Sequence, residues 1–200
     1  MSEFIAFLQV GFHHIVALDA ADHILFLLVL AAIYRGRDWR AALWVISAFT
    51  VGHSITLALA VTGVLTLPSA LVEFLIPVTI VLTGIENMIL RERVASGRLG
   101  RHRPVFAAVF GLVHGAGFAG YLKSLFVERV ALPLFGFNVG IELGQLVVLT
   151  GAAAAFWVLD AALARVPRRG SAEPFHLRLL GVSATVTIVA GAWAWERWPA

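Results

Sequence analysis

Histidines and carboxylates recur inside the apolar stretches of this sequence at spacings that let them share a site. Asp19 and His23 are four residues apart, Asp22 adjoins His23, and His13 and His14 lie just upstream. Residues four apart project from one face of a helix. Further along come Thr50, His53 and Ser54, then Glu86 with Asn87, then His114 among glycines, and finally Asn138, Glu142 and Gln145 at i, i+4 and i+7. Imidazole nitrogens combined with carboxylate oxygens, without sulfur, suit nickel, cobalt, zinc, iron(II) or manganese, whereas Cu(I) calls for Met or Cys. With no cysteine, and with Met1 and Met88 as the only methionines, thiolate metal sites, cysteine nucleophiles and disulfide frameworks are excluded.

The elements that must carry these residues are apolar. Of 200 residues, 60% are hydrophobic and 14% charged, and the mean hydropathy is +0.90, far beyond what one soluble core requires. The composition is that of an all-α integral membrane protein folded as a single transmembrane domain. Apolar runs at Val16–Tyr34, Ala41–Val61, Ser69–Leu90, Pro104–Phe126, Phe137–Leu159 and Leu177–Trp195 are each long enough to cross hydrocarbon, which predicts a bundle of about six helices. They lack the alternation of porin strands. The short apolar stretch Ser2–Phe12 is expected to lie along the interface or to lengthen the first helix. The first dozen residues lack a basic start and a small-residue cleavage site, so the amino terminus is expected to be retained.

Arginines mark orientation. Arg35, Arg37 and Arg40 lie in the first loop, Arg91, Arg93, Arg98, Arg101 and Arg103 in the third, and Arg165, Arg168 and Arg169 in the fifth. By the positive-inside rule, loops 35–40, 91–103 and 165–169 are expected to be cytoplasmic and both termini outside, in a cell membrane such as the bacterial inner membrane. The same rule accounts for the net charge of +3 and the pI near 10.2 without nucleic acid as a partner.

Each ionisable group near the bilayer centre costs a few kcal/mol unless it is paired, hydrated or ligated. Counting height at about 1.5 Å per residue brings Asp22, His23, His53, His114 and Glu142 to similar depth in the outer half, with Glu86 as a separate inner site. Asn138 and Gln145 are expected to orient ligands. Taken singly, Asp19, Ser54, Asn87, Asn138 and Gln145 read equally as interhelical hydrogen bonds, and His13 and His14 as interfacial residues. The glycines around His114 read as close helix packing. Phe49-Thr50-Val51-Gly52 is echoed by Phe137-Asn138-Val139-Gly140, three helices later, as an inverted repeat would require.

Taken in order, the motifs resemble a known family. Gly11-Phe12-His13-His14-Ile15, Asp22-His23-Ile24-Leu25-Phe26, Phe49-Thr50-Val51-Gly52-His53-Ser54, Glu86-Asn87, Gly111-Leu112-Val113-His114-Gly115-Ala116-Gly117-Phe118 and Phe137-Asn138-Val139-Gly140-Ile141-Glu142 are similar to the HupE/UreJ-like hydrogenase and urease accessory membrane proteins. The resemblance implies permeation of nickel or cobalt and a role beside metalloenzyme maturation proteins. By position it carries over the family's Asp-His pair to Asp22 and His23, its second-span histidine to His53, its glycine-rich-span histidine to His114 and its fifth-span carboxylate to Glu142. Seven residues separate His14 from Asp22, where relatives are expected to have five or six, which counts against His14 in the same site.

Three functions compete. The first is a permease or channel for a divalent transition metal, captured by Asp22 and His23, relayed by His53, His114 and Glu142, and released past Glu86. The second is an intramembrane zinc hydrolase in which Ser54 or Glu142 assists proton transfer to or from a metal-bound water. The third is a membrane scaffold for metalloenzyme maturation, with Arg91–Arg103 as its docking surface.

Overall fold

A computed structural model describes residues 2–95, 102–125, 130–165 and 173–199. Within them every regular element is helical: α1 (Glu3–Val16), α2 (Ala21–Ala32), α3 (Trp39–Val61), α4 (Ser69–Ala95), α5 (Arg103–Leu125), α6 (Ala131–Arg165) and α7 (Pro174–Glu196). Helices α3 to α7 are each long and apolar enough to span a bilayer. The pair α1 and α2 makes a sixth candidate, but as a broken span bent by 67° around a single 3-10 turn at Leu18–Ala20. The run expected as the first span, Val16–Tyr34, takes in this turn and α2, with α1 preceding it. The expected loop arginines Arg98, Arg101, Arg168 and Arg169 lie outside the described residues.

Asp22 explains how a helix can restart in this apolar setting. Its carboxylate accepts a hydrogen bond from the His23 backbone N–H at 2.8 Å, and a negative charge in a first turn is favoured by the helix dipole. Upstream, α1 ends with His13 and His14 in its last turn. One helix therefore ends and another begins within a few residues of the histidines, the broken-helix arrangement by which membrane proteins turn backbone dipoles toward a polar site.

Glycines set the packing. A Cβ on Gly52 would collide with the Ala108 carbonyl oxygen, one on Gly111 with that of Phe49 and one on Gly115 with that of His53; the last two contacts advance four residues along both helices, so α3 and α5 run side by side in the same direction. The pair α1 and α6 repeats this arrangement. A Cβ on Gly140 would collide with the Leu8 carbonyl, and one on Gly11 with that of Phe137. The correspondence is position for position: Phe49 and Gly52 match Phe137 and Gly140, while Ala108 and Gly111 match Leu8 and Gly11. The echo of Phe49–Gly52 in Phe137–Gly140 is thus carried into three dimensions. Ser47 lies against Glu142, and His53, six residues on, lies against Phe137, five residues back, so the two pairs run in opposite directions. The remaining helices α4 and α7 pack antiparallel on each other, with Gly84 against the Ser183 carbonyl and Phe74 near Trp198. The helices α1 to α4 and α5 to α7 form two interleaved, inverted halves.

Charged residues at the helix ends gather at one end. Arg35 reaches Glu173 at 2.8 Å, and Arg178 reaches Asp160 at 2.9 Å. Arg103, Glu86 and His102 cluster beside them at the start of α5.

Candidate metal centre

Three histidines from three segments converge where α1 breaks into α2. His14 in the last turn of α1, His23 in the first turn of α2 and His53 in the middle of α3 each offer a ring nitrogen, and these nitrogens all lie within 4.8 Å of one another. His23 and His53 are buried, and His14 is partly so. His114 on α5 lies beside this group of three, its ring centroid 5.3 Å from that of His23. The glycine face of α5 makes this possible, because Gly111 and Gly115 lie directly against the backbone of His53.

Hydrogen bonding leaves the inward nitrogens free. Asp22 Oδ1 takes the Nδ1 side of His23 at 3.0 Å, and His23 Nε2 is buried without a partner. A carboxylate on the outer nitrogen fixes the tautomer and orientation of a ligating imidazole. Thr79 does the same for His114 in another way. Its hydroxyl donates to the Ile76 carbonyl at 2.7 Å, so its oxygen accepts from His114 Nε2–H at 3.0 Å. The proton is thereby placed on Nε2, and the buried, unpartnered Nδ1 keeps its lone pair. His14 Nε2 and both ring nitrogens of His53 are likewise buried and unpartnered. A buried polar atom left unpaired costs about 1–3 kcal/mol, and here several face one another. They form the donor set that a dication lacking its water shell requires.

The other expected residues lie elsewhere. Glu142 accepts from the Ser47 hydroxyl at 2.7 Å, and Gln145 Oε1 accepts from Thr50 Oγ1 at 2.9 Å. The polar stripe of α6 therefore faces the stripe of α3 on the side of His53 toward the arginine-bearing end, and not the outer histidines. Asn138 Oδ1 is buried and unpartnered. Ser54 donates to the Thr50 carbonyl at 2.6 Å. Glu86 is bound to His102 at 2.7 Å and lies 3.6 Å from Arg103, away from the histidine cluster. Asn87 pins four helices together, donating to the Val29 carbonyl and Ser183 and accepting from Arg103. Asp19 lies in the 3-10 turn of the broken span. Thr79 is the hydrogen-bonding partner of the cluster that the sequence did not reveal, since a threonine in an apolar helix carries no signal of its own.

A cavity of about 950 Å³ leads to the cluster, lined by His14, Asp22, His23 and His114 and, toward its mouth, by Gln9, Glu73 and Tyr121. Its mouth is formed by the start of α4 and the end of α5, with Arg197 from the end of α7 also in its lining. On the opposite side Phe26 and Phe49, both about 1% exposed and 4.8 Å apart, close the site against His114.

Fold and site together define a polytopic helical membrane protein with a buried polyhistidine centre at a broken span. The chain belongs to the HupE / UreJ protein family, whose model matches residues 1–197. Comparison with curated proteins and with solved structures brought no match.

Proposed function

We propose that the protein is a permease for a divalent transition metal, nickel or cobalt in the first place, with His14, His23, His53 and His114 as its intramembrane ligands. The observation that carries this reading is the convergence of buried, unpartnered imidazole nitrogens, two of them with tautomers set by Asp22 and Thr79. Membership of the HupE / UreJ family supports a role in nickel or cobalt handling. A metal bound at about 2.1 Å requires nitrogens roughly 3.4 Å apart in a tetrahedral shell, so the rings close inward on the ion. Asp22 supplies charge compensation beside the ligands.

The route runs from the cavity past Glu73 to Asp22 and His23, then to His53, and on along Thr50, Gln145, Ser47 and Glu142 toward the arginine-bearing end, which we take to be cytoplasmic. Phe26 and Phe49 form the barrier on that side. Two helix pairs of opposite direction flank the cluster, the arrangement in which transporters expose one midplane site to each side in turn. Glu86 stands at the far end, its carboxylate beside Arg103 and hydrogen-bonded to His102.

The hydrolase reading needs Ser54 or Glu142 beside the ion, whereas their hydrogen bonds go to Thr50 and Ser47. Transport is tested in proteoliposomes enclosing a metal-sensitive dye. The wild-type protein is expected to admit nickel or cobalt, and His53→Ala to reduce entry to the protein-free rate. Stoichiometric binding without entry would favour the scaffold.

A further inference from the structure

We infer that a groove at the arginine-bearing end, where α2 and α3 face α6 and α7, holds an anionic phospholipid of that leaflet. The groove has a volume of about 660 Å³, and its chemistry is graded along its length. Arg35 and Asp160 stand at one end, and Leu149 and Leu146 line the run toward the middle of the bundle. From Asp160 back to Leu146 is 160 − 146 = 14 residues of α6, about 21 Å at ~1.5 Å per residue. That length matches one leaflet, half of a hydrocarbon core of about 30 Å plus its headgroup layer. One polar end and one leaflet-long apolar run is the outline of a phospholipid lying along a helix seam.

Arg35 selects the headgroup. Its Nη2 donates to Glu173, its guanidinium lies 4.3 Å from the Phe175 ring centroid, and its Nε is buried with no partner among the described residues. The Glu173 side chain is 57% exposed, and an ion pair in water is held weakly, so a phosphodiester can compete for the guanidinium and complete its bonding. Arg178, by contrast, is already bound to Asp160 and the Ala32 carbonyl. Trp39 and Trp157, 55% and 74% exposed, flank the groove at the depth where indole rings anchor to the interface. Basic pockets between spans at such an interface suit anionic headgroups.

Native mass spectrometry of the full chain in detergent, titrated with phosphatidylglycerol or phosphatidylcholine of identical acyl chains, tests this. The wild type is expected to retain one phosphatidylglycerol about fivefold more readily than phosphatidylcholine, the preference one interfacial arginine gives. Arg35→Gln should abolish the preference, Arg37→Gln should keep it, and Ala153→Trp, which fills the groove, should lower retention of both lipids. Equal retention by the wild type, a preference surviving Arg35→Gln, or equal loss in Arg37→Gln would overturn the proposal. Should Arg35→Gln fail to elute as a monodisperse species, undiminished retention by folded Ala153→Trp would overturn it instead.

Discussion

His14 and His114 occupy the same place in two oppositely directed helix pairs. Each stands three residues beyond a glycine that lies against a phenylalanine carbonyl, Gly11 on Phe137 and Gly111 on Phe49. Each ring also lies near that phenylalanine's ring, at 5.7 Å for His14 and 5.2 Å for His114. The histidine cluster therefore sits where the two inverted halves meet, with one histidine from each half in an equivalent position.

The glycine contacts make a stability prediction. Gly52→Ala and Gly140→Ala each drive a methyl into a backbone carbonyl, so each is expected to destabilise the protein by about 1–3 kcal/mol. Gly120→Ala and Gly181→Ala meet nothing within 4 Å and should be neutral. Thermal unfolding in detergent compares the four, and equal midpoints would contradict the packing.

Asp22 holds the outer nitrogen of His23 and would act on a bound metal through it. Asp22→Ala is expected to lower metal affinity by about 10–100-fold, the usual cost of removing a carboxylate behind a histidine ligand. Isothermal titration with nickel and cobalt reads the change. An unchanged affinity would mean that His23 is not a ligand.

Thr79 sets the His114 tautomer by accepting from Nε2. Thr79→Val keeps the shape but loses the acceptor and is expected to weaken metal binding, whereas Thr79→Ser restores it. A structural role alone would leave Thr79→Val as tight as wild type in the same titration.

Protons compete with the ion. A ligating imidazole must be unprotonated, so binding releases protons and affinity falls as pH falls. Equilibrium dialysis from neutral to mildly acidic pH should show progressive loss of bound metal. A flat profile would contradict histidine ligation.

Much of this architecture was legible in the sequence. Apolar runs and arginine loops gave the spans from the second onward, and the Phe-x-x-Gly echo marked the two glycine interfaces. The break at Leu18–Ala20 was not legible, because it contains neither proline nor glycine. A straight helix leaves His14 well away from Asp22, but the 67° bend brings the His14 ring to 4.5 Å from that of His23. Counting height along helices also grouped Glu142 with the outer histidines. Height says nothing of rotation about the axis, and α6 turns Glu142 toward Ser47.

The most direct measurement is metal bound per folded chain, by inductively coupled plasma mass spectrometry after equilibration with nickel, cobalt, zinc, manganese or iron. The wild type should hold one nickel or cobalt ion, and His14→Ala, His23→Ala, His53→Ala and His114→Ala should each lose most of it. A folded wild type that holds no ion, or histidine variants that hold as much as wild type, would contradict an intramembrane metal centre.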